Sequence, residues 1–285
     1  MEARICDRWN APTAMPKSID STIAARLTFA EAAARAAGSI LKAKLGTHIG
    51  VRSKDVRSNL VTEADTESEA LIKQAIAREY PDEAILGEET GASGDPSRGR
   101  WIVDPLDGTV NYAHGYRLFC VSIAFERDGV TQVGVVYDPM AQECFRAAFG
   151  GGADCNGHEL RVSDCSPLLD ALVVTGFPAH RVNEPLANLA PFGDFLNLAQ
   201  ALRRDGSAAL DLCYVAAGRF DGFWESGLHA WDIAAGKLIV EEAGGRVTDY
   251  RGEPAALDGA EILATNGLIH DGMAAALRKY AQEKT

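Results

Sequence analysis

The chain has 285 residues, 47% hydrophobic and 24% charged, enough to bury a large core and without an apolar run of membrane-spanning length. Its 28 basic and 40 acidic residues give a formal charge of -12, which argues against a broad nucleic-acid-binding face but leaves room for a phosphate held through metal cations. Six cysteines without a C-x-x-C pair point to reduced thiols in a cytoplasmic setting and away from a thiolate zinc site.

Residues 1–19 show no periodicity and contain two prolines, and read as a loosely ordered tail without the basic and apolar segments of a secretory signal. Asp20 or Ser21 can cap an alanine-rich helix to about Leu45, with Ile23, Leu27, Ala30, Ala34, Ala37 and Leu41 at helical spacing. Lys54 falls in the polar connection beyond it and, taken alone, reads as a solvated loop lysine. Thr62-Glu63-Ala64-Asp65 has the form of a capping box, so Asp65 has a structural role available as a first-turn acid. That helix carries Leu71, Ile72, Ala75 and Ile76 and stops before Pro81.

Ala84-Ile85-Leu86 reads as a strand delivering Gly87-Glu88-Glu89-Thr90 to its carboxyl end, followed by a glycine-rich polar loop from Gly91 to Arg100. Trp101 to Asn111, Trp-Ile-Val-Asp-Pro-Leu-Asp-Gly-Thr-Val-Asn, opens as a buried strand that Pro105 is expected to end. Asp104 and Asp107 bracket the proline, and Gly108-Thr109 has the character of a helix start, where backbone N–H groups are free. The end of a strand is a usual place for a ligand site in an α/β sheet.

Val121 to Phe125 and Val130 to Tyr137 form a hairpin through Arg127-Asp128-Gly129, and Glu143 to Phe149 adds a strand before a turn at Asp154 to Gly157. Further strands are expected at Ala171 to Thr175, Phe220 to Trp224 and Ile262 to Thr265, and helices at Ser207 to Ala217, after His229-Ala230-Trp231-Asp232, and at the C-terminus. Phe177 to Phe192, with His180, reads as a long irregular loop.

Glu88, Asp104, Asp107 and Asp232 thus each lie near a strand end or helix start. Two like charges 4 Å apart repel by about 4 kcal/mol at a protein-like effective dielectric, so a converging set needs protons or cations. All-oxygen ligands without a cysteine or histidine set select magnesium or manganese, and paired divalent ions are a standard device for phosphate ester hydrolysis.

The sequence at these positions resembles the inositol monophosphatase family of magnesium-dependent, lithium-sensitive phosphatases. The resemblance rests on Gly87-Glu88-Glu89, the Trp101–Asn111 motif, and Trp231-Asp232-Ile233-Ala234-Ala235-Gly236 with Glu241 and Ala243-Gly244-Gly245. Leu60 to Asp65 and Asn156-Gly157 add to it, and it runs from about residue 20 to the end. It implies an α/β fold, the layered αβαβα sandwich shared with fructose-1,6-bisphosphatase, over residues 20–285. It also implies Mg2+ (two to three ions, with Mn2+ as an alternative) and a homodimer, while the composition itself points to the cytoplasm with neither nucleic acid nor membrane as partner.

By the same resemblance Glu88, Asp104 and the Leu106 carbonyl would hold one metal, and Asp104, Asp107 and Asp232 a second. Thr109 with Asp65 would orient and help deprotonate the attacking water, with Glu88 and Lys54, eleven residues before Asp65, beside them. Asp107, Gly108, Thr109, Ala208, Glu225 and Asp232 would contact substrate. His229 is read as a structural neighbour of Asp232 and His180 as a loop residue. Asn59 stands where many relatives carry Asp. The implied reaction is hydrolysis of myo-inositol monophosphate by water without a phospho-enzyme. Histidinol phosphate, fructose-1,6-bisphosphate and 3′-phosphoadenosine 5′-phosphate are the alternative substrates, and a non-enzymatic regulatory or binding protein is the alternative class. A haloacid-dehalogenase-type D-x-D-G-T motif does not fit, because Asp104 and Asp107 are one residue too far apart.

Overall fold

The computed structural model describes residues 19–47, 50–54, 60–177, 188–258 and 261–281. Helix α1 (Ser21–Lys44) starts at Asp20, whose side chain accepts the Thr22 N–H at 2.8 Å. Strands β1 (Val51–Ser53) and β2 (Leu60–Thr62) pair antiparallel, a small ladder with no sequence signature, and Lys54 follows β1 directly. Helix α2 (Glu63–Glu79) opens with the expected capping box. Ile19, read as part of the loose tail, lies against Gly151, and residues 1–18 fall outside the described ones.

Strands β3 (Ala84–Gly87), β4 (Gly91–Ser93) and β5 (Arg100–Asp107) follow, then α3 (Thr109–Ala113). The glycine-rich stretch after Glu89 is therefore not all loop: β4 pairs with β3, and a 3-10 turn spans Pro96–Arg98. The hairpin is β6 (Cys120–Arg127) with β7 (Val130–Asp138), both turn residues Asp128 and Gly129 having positive φ, as a type I′ turn requires. Strands β8 (Glu143–Ala148), β9 (Gly152–Cys155) and β10 (His158–Glu159) complete an eight-stranded sheet of order β10-β9-β8-β7-β6-β5-β3-β4, antiparallel apart from β3 with β5.

The second sheet takes β11 (Leu172–Thr175), β12 (Ala201–Arg203), β13 (Gly222–Ser226), β14 (Arg246–Thr248) and β15 (Glu261–Thr265) in the order β12-β11-β13-β15-β14. Its helices are α4 (Leu189–Leu198), α5 (Ala208–Ala216), α6 (Ala230–Glu242) and α7 (His270–Leu277). Helix α4 begins inside the expected Phe177–Phe192 loop, whose residues 178–187, His180 among them, lie outside the described residues.

Packing of the elements gives five layers. Helices α1 and α2 cover one face of the large sheet, α5 and α6 fill the space between the sheets, and α4 and α7 cover the far face of the small sheet. Three apolar clusters occupy the interfaces: Trp101, Val103 and Ile123 under α1 and α2; Ile102, Ala124 and Phe223 against α5 and α6; Trp224, Phe195 and Met273 on the outside. Because both faces of β5 and β13 are buried, these strands read as continuous apolar runs rather than alternating ones. The sandwich is the architecture the resemblance implies, and it places the ends of β5 and β13 beside the N-termini of α5 and α6. Among the described residues no helix is long and apolar enough to cross a membrane.

Phe195 is the anchor of α4, fully buried and stacked on Trp224 with ring centroids 4.1 Å apart. Phe195→Ala is expected to cost about 3–5 kcal/mol in urea unfolding. A loss below about 1 kcal/mol would mean that α4 adds little to the core.

Candidate active site

A cleft of about 490 Å³ opens where the end of β5 meets the N-termini of α3, α5 and α6. Its lining includes Lys54, Glu88, Asp104, Leu106, Asp107, Gly108, Thr109, Ala208, Glu225 and Asp232, so ten of the expected site residues share one space. Asp65 lies just behind it, reached through Thr109.

The geometry starts from Pro105. The strand does not end there, contrary to expectation, but runs through it with an irregular register: Asp104 pairs with Ser122 and Asp107 with Cys120. Three steps on β5 thus oppose two on β6, which is a β-bulge at a residue that has no N–H for the ladder. In a regular strand residues three apart point to opposite faces; the extra residue lets both carboxylates reach the cleft. Asp104 Oδ1 accepts the Leu106 N–H at 2.9 Å, and Gly108, at φ +93°, turns the chain into α3.

Each acid is held through one oxygen. Asp107 Oδ2 accepts Ser207 Oγ at 2.7 Å and the Ala209 N–H at 2.8 Å, both from the start of α5. Asp232, at the third position of α6, accepts the His229 N–H through Oδ2 at 2.6 Å, closing a second capping box. His229 therefore does border Asp232, stacked on Trp231 with ring centroids 4.6 Å apart. Carboxylate oxygens of Asp104, Asp107 and Asp232 lie within 4.8 Å of one another. That all-oxygen set fits a hard divalent cation such as Mg2+ or Mn2+.

Glu88 lies next to Asp104, and the two side chains are close enough to raise the Asp104 pKa by hydrogen bonding as well as by charge. Its other partner is Lys54, whose Nζ donates to Glu88 at 2.8 Å and to Glu89 at 2.6 Å. Burial opposes the ammonium charge, yet the two glutamates outweigh it and hold Lys54 well above its usual pKa.

Asp65 closes the capping box read for it and also reaches Thr109. Oδ2 accepts the Thr62 N–H and hydroxyl at 2.9 and 2.5 Å, while Oδ1 lies 3.3 Å from Thr109 Oγ1. The Thr109 hydroxyl is nearer the Leu106 carbonyl, at 3.0 Å. One hydroxyl proton serves one of these acceptors at a time, so the Thr109 oxygen can accept from a third group in the cleft. On the opposite wall Glu225 lies near the end of β13 with its carboxylate over Gly176, and Ala208 starts α5.

Enclosure and mutual repulsion raise the acids together. Burial, then Glu88, Asp107 and Asp232, push Asp104 well above the carboxylate range. Asp107 rises to about 6 through burial, held back by its Ser207 and Ala209 donors. Burial and then Asp107 lift Asp232 strongly, and the same pair of causes brings Glu225 to about 8. Asp65, raised mainly by burial against its Thr62 bonds, sits at about 6, and burial likewise brings Glu89 to about 7.

Glu69 was not among the expected residues. It is 1% exposed and accepts the Glu89 N–H at 3.3 Å, and a Cβ added at Gly87 would come within 1.9 Å of its Oε1. The glycine before Glu88 is thus a close approach of backbone to carboxylate. A sequence signal existed: Glu69 is one turn after Asp65, on the buried stripe with Ile72 and Ile76, where an acid is unusual. Asn59 lies outside the described residues.

A family model for the inositol monophosphatase family matches residues 24–282. The chain is 45% identical over 252 residues to a Synechocystis protein named inositol-1-monophosphatase, an alignment covering 88% of each. It is 43% identical over 247 residues to a Pseudomonas aeruginosa protein named Nus factor SuhB, covering 84% of this chain and 91% of that one. The solved structure of inositol monophosphatase from Anabaena (Nostoc) sp. matches with a TM-score of 0.83 at 45% identity, covering 91% of this chain and 97% of that one.

Because the folded acids have pKa values above their unfolded ones, the metal-free protein binds more protons folded than unfolded. The associated stability is fully present below about pH 4 and is lost as pH rises through about 6 for Asp65 and Asp107 and about 8 for Glu225. In thermal melts with chelator, Tm should therefore fall from pH 5 to pH 8, and excess Mg2+ should raise Tm more at pH 8 than at pH 5. An equal Mg2+ effect at both pH values would show that cations do not bind these acids.

Proposed function

The chain belongs to the inositol monophosphatase family of metal-dependent phosphatases acting on small phosphate monoesters, and we propose that its substrate is myo-inositol monophosphate, hydrolysed to inositol and phosphate. The observation that carries this reading is the Asp104, Asp107 and Asp232 oxygen cluster at the floor of a cleft bordered by three helix N-termini. Such N-termini favour a phosphate through N–H groups and the helix dipole. The relatives named inositol-1-monophosphatase support the choice of ester.

In this reading Glu88, Asp104 and the Leu106 carbonyl would hold one Mg2+, and Asp104, Asp107 and Asp232 would hold a second; a third ion and Mn2+ belong to the same proposal. When bound, the ions supply Lewis acidity toward the attacking water and the leaving oxygen. The chain's own part is proton handling and placement. Thr109 Oγ1 accepts the proton of a water and passes its own toward Asp65 Oδ1, 3.3 Å away. The water oxygen bonds to phosphorus as the ester P–O bond breaks, and the leaving alkoxide takes up a proton from water in the cleft. No side chain is phosphorylated. Lys54 keeps Glu88 and Glu89 oriented at the cleft edge, and Gly108 borders the phosphate. Ala208 leaves space for the polyol, while the Glu225 carboxylate, which faces the cleft, accepts its hydroxyls.

A homodimer in the cytoplasm, free of nucleic acid and membrane, completes the reading; of these, only the cytoplasmic setting draws support from the free cysteines at Cys120, Cys144, Cys155, Cys165 and Cys213. A second, binding role on the same fold has one observation behind it, the relatives named Nus factor SuhB.

Mg2+-dependent phosphate release, with and without lithium, is the test, run on inositol-1-phosphate, histidinol phosphate, fructose-1,6-bisphosphate and 3′-phosphoadenosine 5′-phosphate. Lithium-sensitive preference for the inositol ester is expected; preference for another ester moves the substrate assignment to the Glu225 wall, and silence on all four overturns the reading. Within the active protein, Asp104→Asn should abolish turnover with the fold intact by circular dichroism. Thr109→Val should lower kcat by about 10²–10⁴-fold while Thr109→Ser retains most of it. A Thr109→Val enzyme with near-normal kcat would remove Thr109 from the proton path.

A further inference from the structure

Asn111, on α3, like Asp107 bonds from the Trp101–Asn111 motif to the opposite side of the cleft, here through its side-chain amide. Its Nδ2 donates to the Leu118 carbonyl at 2.8 Å and to the Asp205 carbonyl at 2.8 Å, with the Gly206 carbonyl at 3.4 Å. Leu118 belongs to the segment leading into β6, whereas Asp205 and Gly206 lead from β12 into α5. Both amide protons are therefore used, one on each side. With three carbonyl oxygens around it the group must be the nitrogen; the reverse orientation would set oxygen against oxygen.

The loop it grips lies flat on the amide because residue 206 is glycine. A Cβ there would stand 3.3 Å from both Nδ2 and Oδ1 of Asn111 and 2.9 Å from Arg204 Nη1, and the backbone φ is +85°. The next residues are the ones that hold Asp107: Ser207 Oγ and the Ala209 N–H both bond Oδ2. Asn111, the Asp205–Gly206 loop, Ser207 with Ala209, and the Asp107 carboxylate form a closed ring of contacts across the cleft. Asn111 bonds none of the cleft carboxylates, so it acts only through the loop.

We propose that Asn111 is a positioning residue that sets the Asp107 carboxylate for a cation and fixes the Ser207–Ala208 wall against the substrate. The proposal rests on the reading of Asp107 as a metal ligand. A hydrogen-bonding group one step behind a ligand usually governs metal affinity by about 10–100-fold; Asn111 stands one step further back, behind Ser207 and Ala209, so the low end of that range is expected here.

The test reads binding of Mn2+ to the purified full-length protein by calorimetry, without any ester, and then the KM of whichever ester the wild type turns over. Asn111→Ala should raise the Mn2+ Kd by about tenfold or more and raise KM. Asn111→Asp, which sets an acceptor among three carbonyls, should weaken Mn2+ further, and Asn111→Ser serves where it does not fold. Asn266→Ala is the control: its Nδ2 donates to Ser163 Oγ and to the Cys165 carbonyl, both at 2.8 Å and away from the cleft. It should lower Tm with the Mn2+ Kd unchanged. An Asn111→Ala protein with wild-type Mn2+ affinity, or a change matched by Asn266→Ala, overturns the proposal. A wild type that binds Mn2+ but turns over no ester would overturn the substrate reading and leave this test standing.

Discussion

The structure depends on the mutual repulsion of acids that share one cleft floor. Asp104, Asp107 and Asp232 present oxygens within 4.8 Å of one another, with Glu88 beside Asp104, and each would relax that repulsion by turning away. What prevents it is a hydrogen bond to one oxygen of each aspartate: the Leu106 N–H on Asp104, the Ser207 hydroxyl and Ala209 N–H on Asp107, the His229 N–H on Asp232. All but the Ser207 hydroxyl are backbone donors at a bulge or in the first turn of a helix, where N–H groups are free in any case. The fold thus spends groups it must satisfy anyway on restraining charges that resist being placed.

How far this was legible varies with how local the cause is. The Thr62–Asp65 capping box, the Asp128-Gly129 hairpin and the Gly87-Glu88-Glu89 strand end all follow from spacing within a few residues, and all stand in the structure. Pro105 misled for a physical reason. A proline removes one ladder hydrogen bond, which ends most strands, but here the register shift absorbs the loss and β5 continues to Asp107. Helix α4 was hidden because its apolar face is defined by Trp224, a partner distant in sequence, and β4 because three residues pairing with β3 leave no pattern.

The second oxygen of Asp65 shows the same limit from the other side. The capping box accounts for Oδ2 from sequence alone, and nothing local says that Oδ1 faces Thr109, which is 44 residues further along. Glu69 is the counterpart among residues that spacing could have exposed: it shares the buried face of α2, and its partner is a backbone N–H that only the fold brings near. Side chains that bridge elements were invisible one at a time and became readable only as members of the family pattern.

The same charges decide in what order the cleft can be filled. A helix N-terminus contributes about half a positive charge, and three of them border the cleft, one belonging to the very short α3. Where Asp104, Asp107 and Asp232 are ionised alongside Glu88, with Lys54 already paired to Glu88 and Glu89, that is too little to attract a phosphate dianion. In the proposed reading the helix termini would orient a phosphate that arrives, once cations on the acids had reversed the sign of the field. The acidic balance of the whole chain points the same way: in the proposed reading its surroundings would repel an anionic ester until the cleft floor is neutralised, so phosphate affinity and cation affinity would be one coupled quantity in this site.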